Sequence, residues 1–151
     1  MKIYLAASFA FPDAETAEAR KQVISQAAKI LRDRGHEVFV PHEHKIPGGE
    51  QMSNQVWGFA VMQMDRDALK DSDWVVVLTY GKTGNNAGVA WEAGYAAGLH
   101  KNILLVKMND EIESMMLWWN VTAQIQTLEK LKTFDFDNSF AYDYFYDVEV
   151  S

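Results

Sequence analysis

Cysteine is absent from this sequence of 151 residues. Its absence excludes disulfide bonds, thiolate metal sites and cysteine nucleophiles, and it is typical of proteins from a reducing compartment. Basic residues are also scarce: the net charge is −7, and no run of Lys and Arg is longer than two residues. Because binding to a nucleic-acid backbone depends on clustered positive charge, we expect no nucleic-acid partner.

Long apolar runs are missing as well. No stretch approaches the roughly 20 apolar residues that span a bilayer, and the short apolar start, MKIYLAASFAF, has no clear cleavage site for a signal peptide. We therefore expect a cytoplasmic protein without a membrane partner. With 48% hydrophobic and 23% charged residues, the chain has the composition of one globular domain, residues 1–151, with a sizeable core.

Short apolar, β-favouring segments alternate with helical segments along the chain. Strands are expected at KIYLAAS, EVFVP, WVVVLTY, NILLVK and AQIQT. Helices are expected in the amphipathic segment that Gly35 closes, from about residue 53 to residue 72, around Glu92, and briefly in DEIESMMLWWN. This alternation predicts an α/β fold: a flavodoxin-like, doubly wound parallel sheet of about five strands flanked by helices.

Ligands of open parallel sheets bind beyond the carboxyl ends of the strands. Three loops should therefore surround one crevice: residues 8–13, the loop after Pro41, and residues 81–88. The helix that carries Glu92 begins at the last of these loops.

Glu92 is the one acid in GNNAGVAWEAGYAAG, residues 84–98. An acid that interacts with the helix dipole would explain an exposed Glu, at about 0.3–1 kcal/mol. The helix is apolar on all sides, however, and such helices are normally buried. Since Glu is rarely buried without a partner or a purpose, we expect Glu92 to be functional.

Asp65 belongs to a run of four acids within nine residues, the others being Asp67, Asp71 and Asp73. Most such runs are a solvated helix face. Asp65 lies beside the apolar stripe whereas Asp67 points away from it, so periodicity leaves both a structural and a functional role open for Asp65. The two histidines of HEH, residues 42–44, have no third ligand at a recognisable spacing, so a substrate-contacting or exposed loop is favoured over a metal site.

The familiar catalytic motifs are absent. The sequence has no Ser elbow, no GxGxxG and no metal triad, and GKT at residues 81–83 lacks the upstream glycine of a Walker motif. A pair of carboxylates and a tyrosine near the crevice remain. Paired carboxylates are the groups that cleave glycosidic bonds with retention, so neither a cofactor nor a metal is expected.

Three segments resemble the nucleoside 2-deoxyribosyltransferase family. GVAWEAGYAAGLHKNILLV matches the family's Gly-x-x-x-Glu-x-Gly segment and the strand after it. MDRDALKDSDWVVV is similar to the Asp-bearing helix and the next strand, and LKTFDFD…FYDVEVS is similar to the closing segment. The resemblance covers nearly the whole chain.

The resemblance implies three catalytic residues. Glu92 would attack the anomeric carbon of deoxyribose, expel the base and hold a covalent deoxyribosyl intermediate until a second base attacks. Tyr4 would orient Glu92, and Asp65 would face the base or assist its protonation. The residues that the resemblance places around the substrate are Ala7, Phe9, Lys45, Trp57, Asn86, Gly88, Ser114 and Ser151.

Three of these positions depart from the family pattern. Asn86 stands where many transferases have Asp, and Lys45 aligns with a Gln that is presented to the base. Ser114 replaces an Asn that comes from the neighbouring subunit. A related branch that hydrolyses nucleoside 5′-monophosphates has a Ser there, although the first loop of this chain, AASFAF, lacks an Arg for a phosphate.

The resemblance therefore implies a nucleoside deoxyribosyltransferase of nucleotide salvage, acting on nucleosides and free purine or pyrimidine bases. It further implies a homo-oligomer whose sites are shared between subunits. Two alternatives stay open: an N-glycosidase of nucleoside 5′-monophosphates, and a nucleotide-binding protein of the same fold without turnover.

Overall fold

The structure of the protein is a computed structural model, and it describes residues 1–81, 86–111, 114–118 and 120–138. Five strands form one parallel sheet: β1 (Lys2–Ala6), β2 (Glu37–Phe39), β3 (Trp74–Thr79), β4 (Asn102–Lys107) and β5 (Ala123–Gln126). Their order in the sheet is β2-β1-β3-β4-β5. The predicted doubly wound sheet of five strands is confirmed.

Within the described ranges, four α-helices connect the strands: α1 (Ala14–Asp33), α2 (Asn54–Asp71), α3 (Ala87–Gly98) and α4 (Met115–Trp118). Side-chain caps explain where the two long helices begin. Asp13 accepts a hydrogen bond from the Thr16 amide at 2.7 Å, and Ser53 caps α2 in the same way. Gly35, with φ of +86°, follows the end of α1. None of the described helices combines the length and the apolar character that crossing a membrane requires.

The sheet is covered on both faces, which explains why all six residues of β3 are apolar or β-branched and buried. Alternate strand residues face opposite sides. One face packs against α1 and the C-terminal aromatic residues Phe134 and Phe136. The other face carries Tyr4 and packs against α2, α3 and α4.

Within the sheet, β2 lies next to β1 on one side, and the chain then returns to place β3 next to β1 on the other side. This reversal between β1 and β3 is the topological switch point where ligands of such sheets bind. Tyr4 is a residue of β1, and α3 follows β3, so the fold brings Tyr4 and Glu92 to the same face beside the switch point.

Candidate active site

A short hydrogen bond joins two of the predicted catalytic residues. The hydroxyl of Tyr4 donates to Glu92 Oε1 at 2.6 Å. Tyr4 has no solvent exposure. A length of 2.6 Å is typical of a hydroxyl that donates to a carboxylate, and such charge-assisted bonds are about twice as strong as neutral ones.

The spacing of small residues in α3 brings Glu92 to this position. Val89, Ala93 and Ala96 are the buried residues of the helix and pack against the sheet. Glu92 follows Val89 by three residues and precedes Ala96 by four, so it lies at the edge of the buried stripe. The alanine side chains let the helix approach the sheet closely enough for Glu92 to reach the phenol of Tyr4.

Burial is the main influence on the electrostatics of Glu92. Desolvation raises the pKa of Glu92, the Tyr4 hydrogen bond lowers it in part and the nearby Asp65 carboxyl raises it, so that the pKa is about 7. The pKa of Tyr4 is also raised, first by burial and then by the two carboxylates, so the phenol keeps its proton and acts as a donor. Glu92 is thus a carboxyl whose charge changes near neutral pH.

Asp65 is the third member of the cluster. It lies in α2, is half-buried, and has a pKa that burial raises to about 6, while Tyr4 and His44 act to lower it. Its Oδ1 atom is buried and accepts no hydrogen bond from any part of the chain that the structure describes. Buried oxygens of this kind are rare in native proteins, and an unfilled acceptor beside a second carboxyl group could bind a polar group of a ligand.

Sequence reasoning missed an aromatic group beside the cluster. Phe39 stacks on Tyr4, with ring centroids 5.4 Å apart, and His44 stacks on Phe39 at 4.2 Å. Phe9, in the first loop, contacts His42, and their ring centroids are 5.1 Å apart. A predicted parallel pairing of β1 with β2 would have found Phe39, because Tyr4 and Phe39 are register partners.

The loop after β3 is braced by side-chain amides. Asn86 Nδ2 donates to the Gly81 carbonyl at 2.7 Å, and Asn109 Nδ2 donates to the Tyr80 carbonyl at 2.9 Å. Gly81 has φ of +65°, and a Cβ atom there would lie 2.2 Å from Glu111 Cβ, so only glycine fits. Asn86, which was predicted to bind substrate, connects the start of α3 with Gly81 in the loop after β3.

The other predicted substrate residues lie on different parts of the crevice region. Ala7 and Phe9 are half-buried in the first loop, and Trp57 covers Gly49 from the first turn of α2. Lys45, Gly88 and Ser114 are exposed, and within the described ranges neither the Lys45 nor the Ser114 side chain bonds to the carboxylate cluster. Ser151 and residues 82–85 lie outside the described residues.

The expectation that α3 is buried all round is wrong for the single chain. Gly88, Ala90, Trp91 and Gly94 are exposed. The large apolar side chains of α2, α3 and α4 that are exposed are Val56, Trp57, Phe59, Trp91, Met115 and Met116. The helix has one face on the sheet and an apolar face that the described residues leave open.

No group of three or more His, Asp or Glu side chains within the described ranges is arranged to hold a metal ion. The side chains that meet at the switch point are instead two carboxyls and a phenol. Such a set can attack an electrophilic carbon and donate or accept a proton, which is the chemistry of glycosyl transfer.

A family model described as nucleoside 2-deoxyribosyltransferase matches residues 3–132. The chain belongs to this family. Among solved structures, the family's 2-deoxyribosyltransferase from the psychrotolerant bacterium Bacillus psychrosaccharolyticus is similar to it, with 30% sequence identity and a TM-score of 0.78. That similarity covers 90% of this chain and 93% of the Bacillus chain.

A second solved structure, the CMP N-glycosidase BcmB of Clostridium botulinum, has the same fold. Its sequence is 21% identical, the TM-score is 0.63, and the match covers 89% of this chain and all of that chain. Comparison with curated proteins gives no sequence match. The chain is therefore a member of the nucleoside 2-deoxyribosyltransferase family, and it shares its fold with this N-glycosidase.

Proposed function

We propose that this protein transfers deoxyribose between nucleobases on 2′-deoxyribonucleosides, through a covalent deoxyribosyl intermediate on Glu92. The observation that carries the proposal is the partly buried Glu92 carboxylate, which accepts a hydrogen bond from the buried Tyr4 phenol at 2.6 Å. In the first step a Glu92 oxygen forms a bond to the anomeric carbon while the bond to the base breaks. In the second step a new base attacks the same carbon and releases Glu92, so that two inversions give net retention.

Tyr4 directs Glu92 in this scheme. Its ring is fixed by burial in β1 and by stacking on Phe39, and its proton is held on one oxygen of Glu92. The hydrogen bond stabilises the ionised form of Glu92, which is the nucleophile. It also leaves the second carboxylate oxygen for attack on the sugar.

Asp65 supplies the proton that the departing base needs. A phenol has one proton to donate, so Tyr4 cannot satisfy both carboxylates at once. A proton on Asp65 completes the network, and a pKa raised to about 6 keeps that proton available near neutral pH. The unfilled Oδ1 of Asp65 is the atom that would meet the base.

Crevice residues bind the two halves of the substrate. The base would lie against Phe9 and Trp57, with Lys45 reaching its polar edge, and the sugar would lie over Ala7 and Gly88. Gly88 is open on its outer side, because a Cβ atom there would meet nothing within 4 Å. Ser114 would contact the 5′ end of the sugar, and Asn86 would shape the loop beside it through its bond to the Gly81 carbonyl.

We further propose that the working form is a homo-oligomer whose sites are shared between subunits. The exposed apolar side chains of α2, α3 and α4 include Trp57 and Trp91, which are 48% and 43% exposed, and Met116 at 83%. Exposed large apolar side chains are typical of interfaces, and these support the proposal. Ser114, which directly precedes α4, would then be supplied by a neighbouring subunit.

A second candidate function is hydrolysis of nucleoside 5′-monophosphates. Ser114, exposed just before α4, is the residue that favours it, and the fold shared with a CMP N-glycosidase is compatible with it. In that reaction water replaces the acceptor base, and the 5′-phosphate becomes part of the recognised substrate.

The test is to incubate the protein with thymidine and free adenine and to separate the products by liquid chromatography. Deoxyadenosine formed in step with thymine is the expected result. Thymine without deoxyadenosine would make water the acceptor, and turnover of nucleoside 5′-monophosphates alone would favour the second candidate. Binding without any turnover would leave a nucleotide-binding protein.

Two pairs of variants locate the chemistry. Glu92→Gln should lose exchange by several orders of magnitude, because the amide cannot form the glycosyl ester. Asp65→Asn should lose activity as well, whereas Asp67→Asn, on the same helix but at an exposed position facing Lys70, should not. Full exchange by Glu92→Gln would show that the proposed mechanism is wrong.

A further inference from the structure

One arginine connects two of the loops that surround the crevice. Arg20, on α1, lies over the ring of Tyr80, with its Cζ atom 3.1 Å from the ring centroid. The same Cζ atom lies 5.4 Å from the ring centroid of Phe11. Phe11 belongs to the first loop, and Tyr80 directly follows β3. All three side chains are half-buried, so these contacts are partly shielded from water.

The two rings are the partners that the described residues offer to the Arg20 guanidinium. The salt bridges within the described ranges do not include Arg20. A guanidinium over an aromatic ring is attracted by the negative charge of the ring face, and partial burial strengthens the attraction. Because the guanidinium is planar, it can lie flat on a ring, as the ammonium group of a lysine cannot. Arg20 therefore holds the first loop against the end of β3.

Each of these two loops adjoins one side of the candidate active site. The first loop carries Phe9, which the proposed function places against the base. Tyr80 is followed by Gly81, whose carbonyl accepts the hydrogen bond from Asn86 at the start of α3. Since α3 carries Glu92, the contact on Tyr80 connects the first loop with the helix of the nucleophile.

We infer that Arg20 is a positioning residue: by holding the first loop and the loop after β3 together, it fixes the width of the crevice that receives the nucleoside. The inference rests on the proposed function, because it takes the substrate to lie between Phe9 and Glu92. Arg20 itself needs no contact with the substrate for this role.

Loss of this contact should weaken substrate binding more than the chemical step. Tyr4 and Glu92 keep their own hydrogen bond of 2.6 Å when Arg20 is replaced. The first loop, in contrast, loses the partner that joins it to the other side of the crevice. A change that weakens the binding of ground state and transition state equally raises KM and leaves kcat unchanged.

Three substitutions test this role. Arg20→Met keeps the length of the side chain and removes its charge and planar group, and Tyr80→Leu removes the ring. Arg34→Met is the matched control, because Arg34 also lies over a ring, with its Cζ atom 5.3 Å from the centroid of Phe136 in the C-terminal segment. Each variant is assayed for base exchange with thymidine varied and adenine saturating. Amide hydrogen exchange of residues 8–13 is followed by mass spectrometry, a measurement that does not depend on turnover.

Arg20→Met is expected to raise the KM for thymidine by about five- to tenfold, while kcat stays within about twofold. Amides of the first loop should exchange faster in this variant. Tyr80→Leu should have the same effects, and the double variant should be no worse than either single variant, because both remove the same contact. Arg34→Met should lose stability without a change in KM or in first-loop exchange.

An unchanged KM or an unchanged first-loop exchange in Arg20→Met would overturn the inference. KM effects of Arg20→Met and Tyr80→Leu that multiply in the double variant would overturn it as well, since Arg20 would then act independently of Tyr80. If the unmodified protein exchanges no bases, the proposed function fails. The amide exchange still decides in that case whether Arg20 holds the two loops together.

Discussion

Replacing Glu92 by Gln should stabilise the protein while it abolishes catalysis. Burial raises the pKa of Glu92 from 4.5 to about 7, and each pKa unit corresponds to about 1.4 kcal/mol. The ionised carboxylate therefore destabilises the folded state by about 3 kcal/mol once it is fully charged. Gln has the same shape, carries no charge and keeps an oxygen that accepts the Tyr4 hydrogen bond.

The gain in stability should depend on pH in a definite direction. A carboxyl with a higher pKa in the folded than in the unfolded protein binds its proton more tightly when folded. The destabilisation by Glu92 is therefore absent below pH 4.5, grows between pH 4.5 and about 7, and is complete above about pH 7. Glu92→Gln should match the unmodified protein at pH 4 and exceed its free energy of unfolding by about 3 kcal/mol at pH 8.

Urea unfolding at fixed protein concentration, repeated from pH 4 to pH 8, measures this difference. For a chain of this size, about 3 kcal/mol raises Tm by about 6–12 °C. Glu43→Gln is the control of opposite sign: the bond from Arg32 lowers the pKa of Glu43, so this variant should lose more stability at pH 8 than at pH 4. Equal stability of Glu92→Gln and the unmodified protein at pH 8, or a gain that does not change with pH, would show that the charge on Glu92 does not destabilise the fold.

Four further predictions follow from the contacts of the site and its supports. Tyr4→Phe removes a hydrogen bond to a charged group, worth about 1.5–3 kcal/mol, so the pKa of Glu92 should rise by about 1–2 units; an exchange profile that does not move to higher pH would contradict this. Gly81→Ala should cost more than about 1 kcal/mol in urea unfolding, because φ is positive and Glu111 fills the space; no loss would contradict it. Arg34→Met removes hydrogen bonds at 2.6 and 2.7 Å to two carbonyls of the C-terminal segment and should cost about 2 kcal/mol by the same measurement, whereas unchanged stability would make these bonds irrelevant. Thymidine should be a far better substrate than its 2′-hydroxyl counterpart, since Glu92 beside the ring leaves little room for a hydroxyl group and the deoxy sugar reaches the oxocarbenium-like state more easily. Equal exchange rates for the two nucleosides would show that this expectation is wrong.

Strong local patterns made most of the elements predictable. The apolar, β-branched run WVVVLTY became β3, Trp74–Thr79, and the helix expected at residues 53–72 became α2, Asn54–Asp71. A buried strand needs unbroken apolar residues, and a capped amphipathic helix needs a periodic stripe and a polar residue before it. Both requirements can be read within a short window of sequence.

The sequence argument that singled out Glu92 described its surroundings only half correctly. An acid in an otherwise apolar helix signalled a purpose, and the hydrogen bond from Tyr4 confirms that Glu92 has a buried partner. The helix is not buried all round, however, because its outer face, with Trp91, is open in the single chain. Composition cannot distinguish residues that pack on the sheet from residues that would pack on another subunit.

The surroundings of the carboxylates were not predictable from local pattern. Phe39 lies beside Tyr4 because β2 pairs with β1 in that register, and His44 stacks on Phe39 in turn. Pairing between strands distant in sequence leaves no periodic signal in either strand. For the same reason the bond from Asn86 to the Gly81 carbonyl was missed, since a polar residue before a helix can cap it, bind a ligand or brace a loop.

We expect Glu92 to carry deoxyribose during turnover. To test this, the protein is mixed with thymidine and no acceptor base, quenched in acid and digested, and the peptides are examined by mass spectrometry. We expect one added deoxyribosyl unit on the peptide that contains Glu92, thymine released in equal amount, and no such adduct in Glu92→Gln. An adduct on another residue, or base exchange that persists in Glu92→Gln, would show that Glu92 is not the nucleophile.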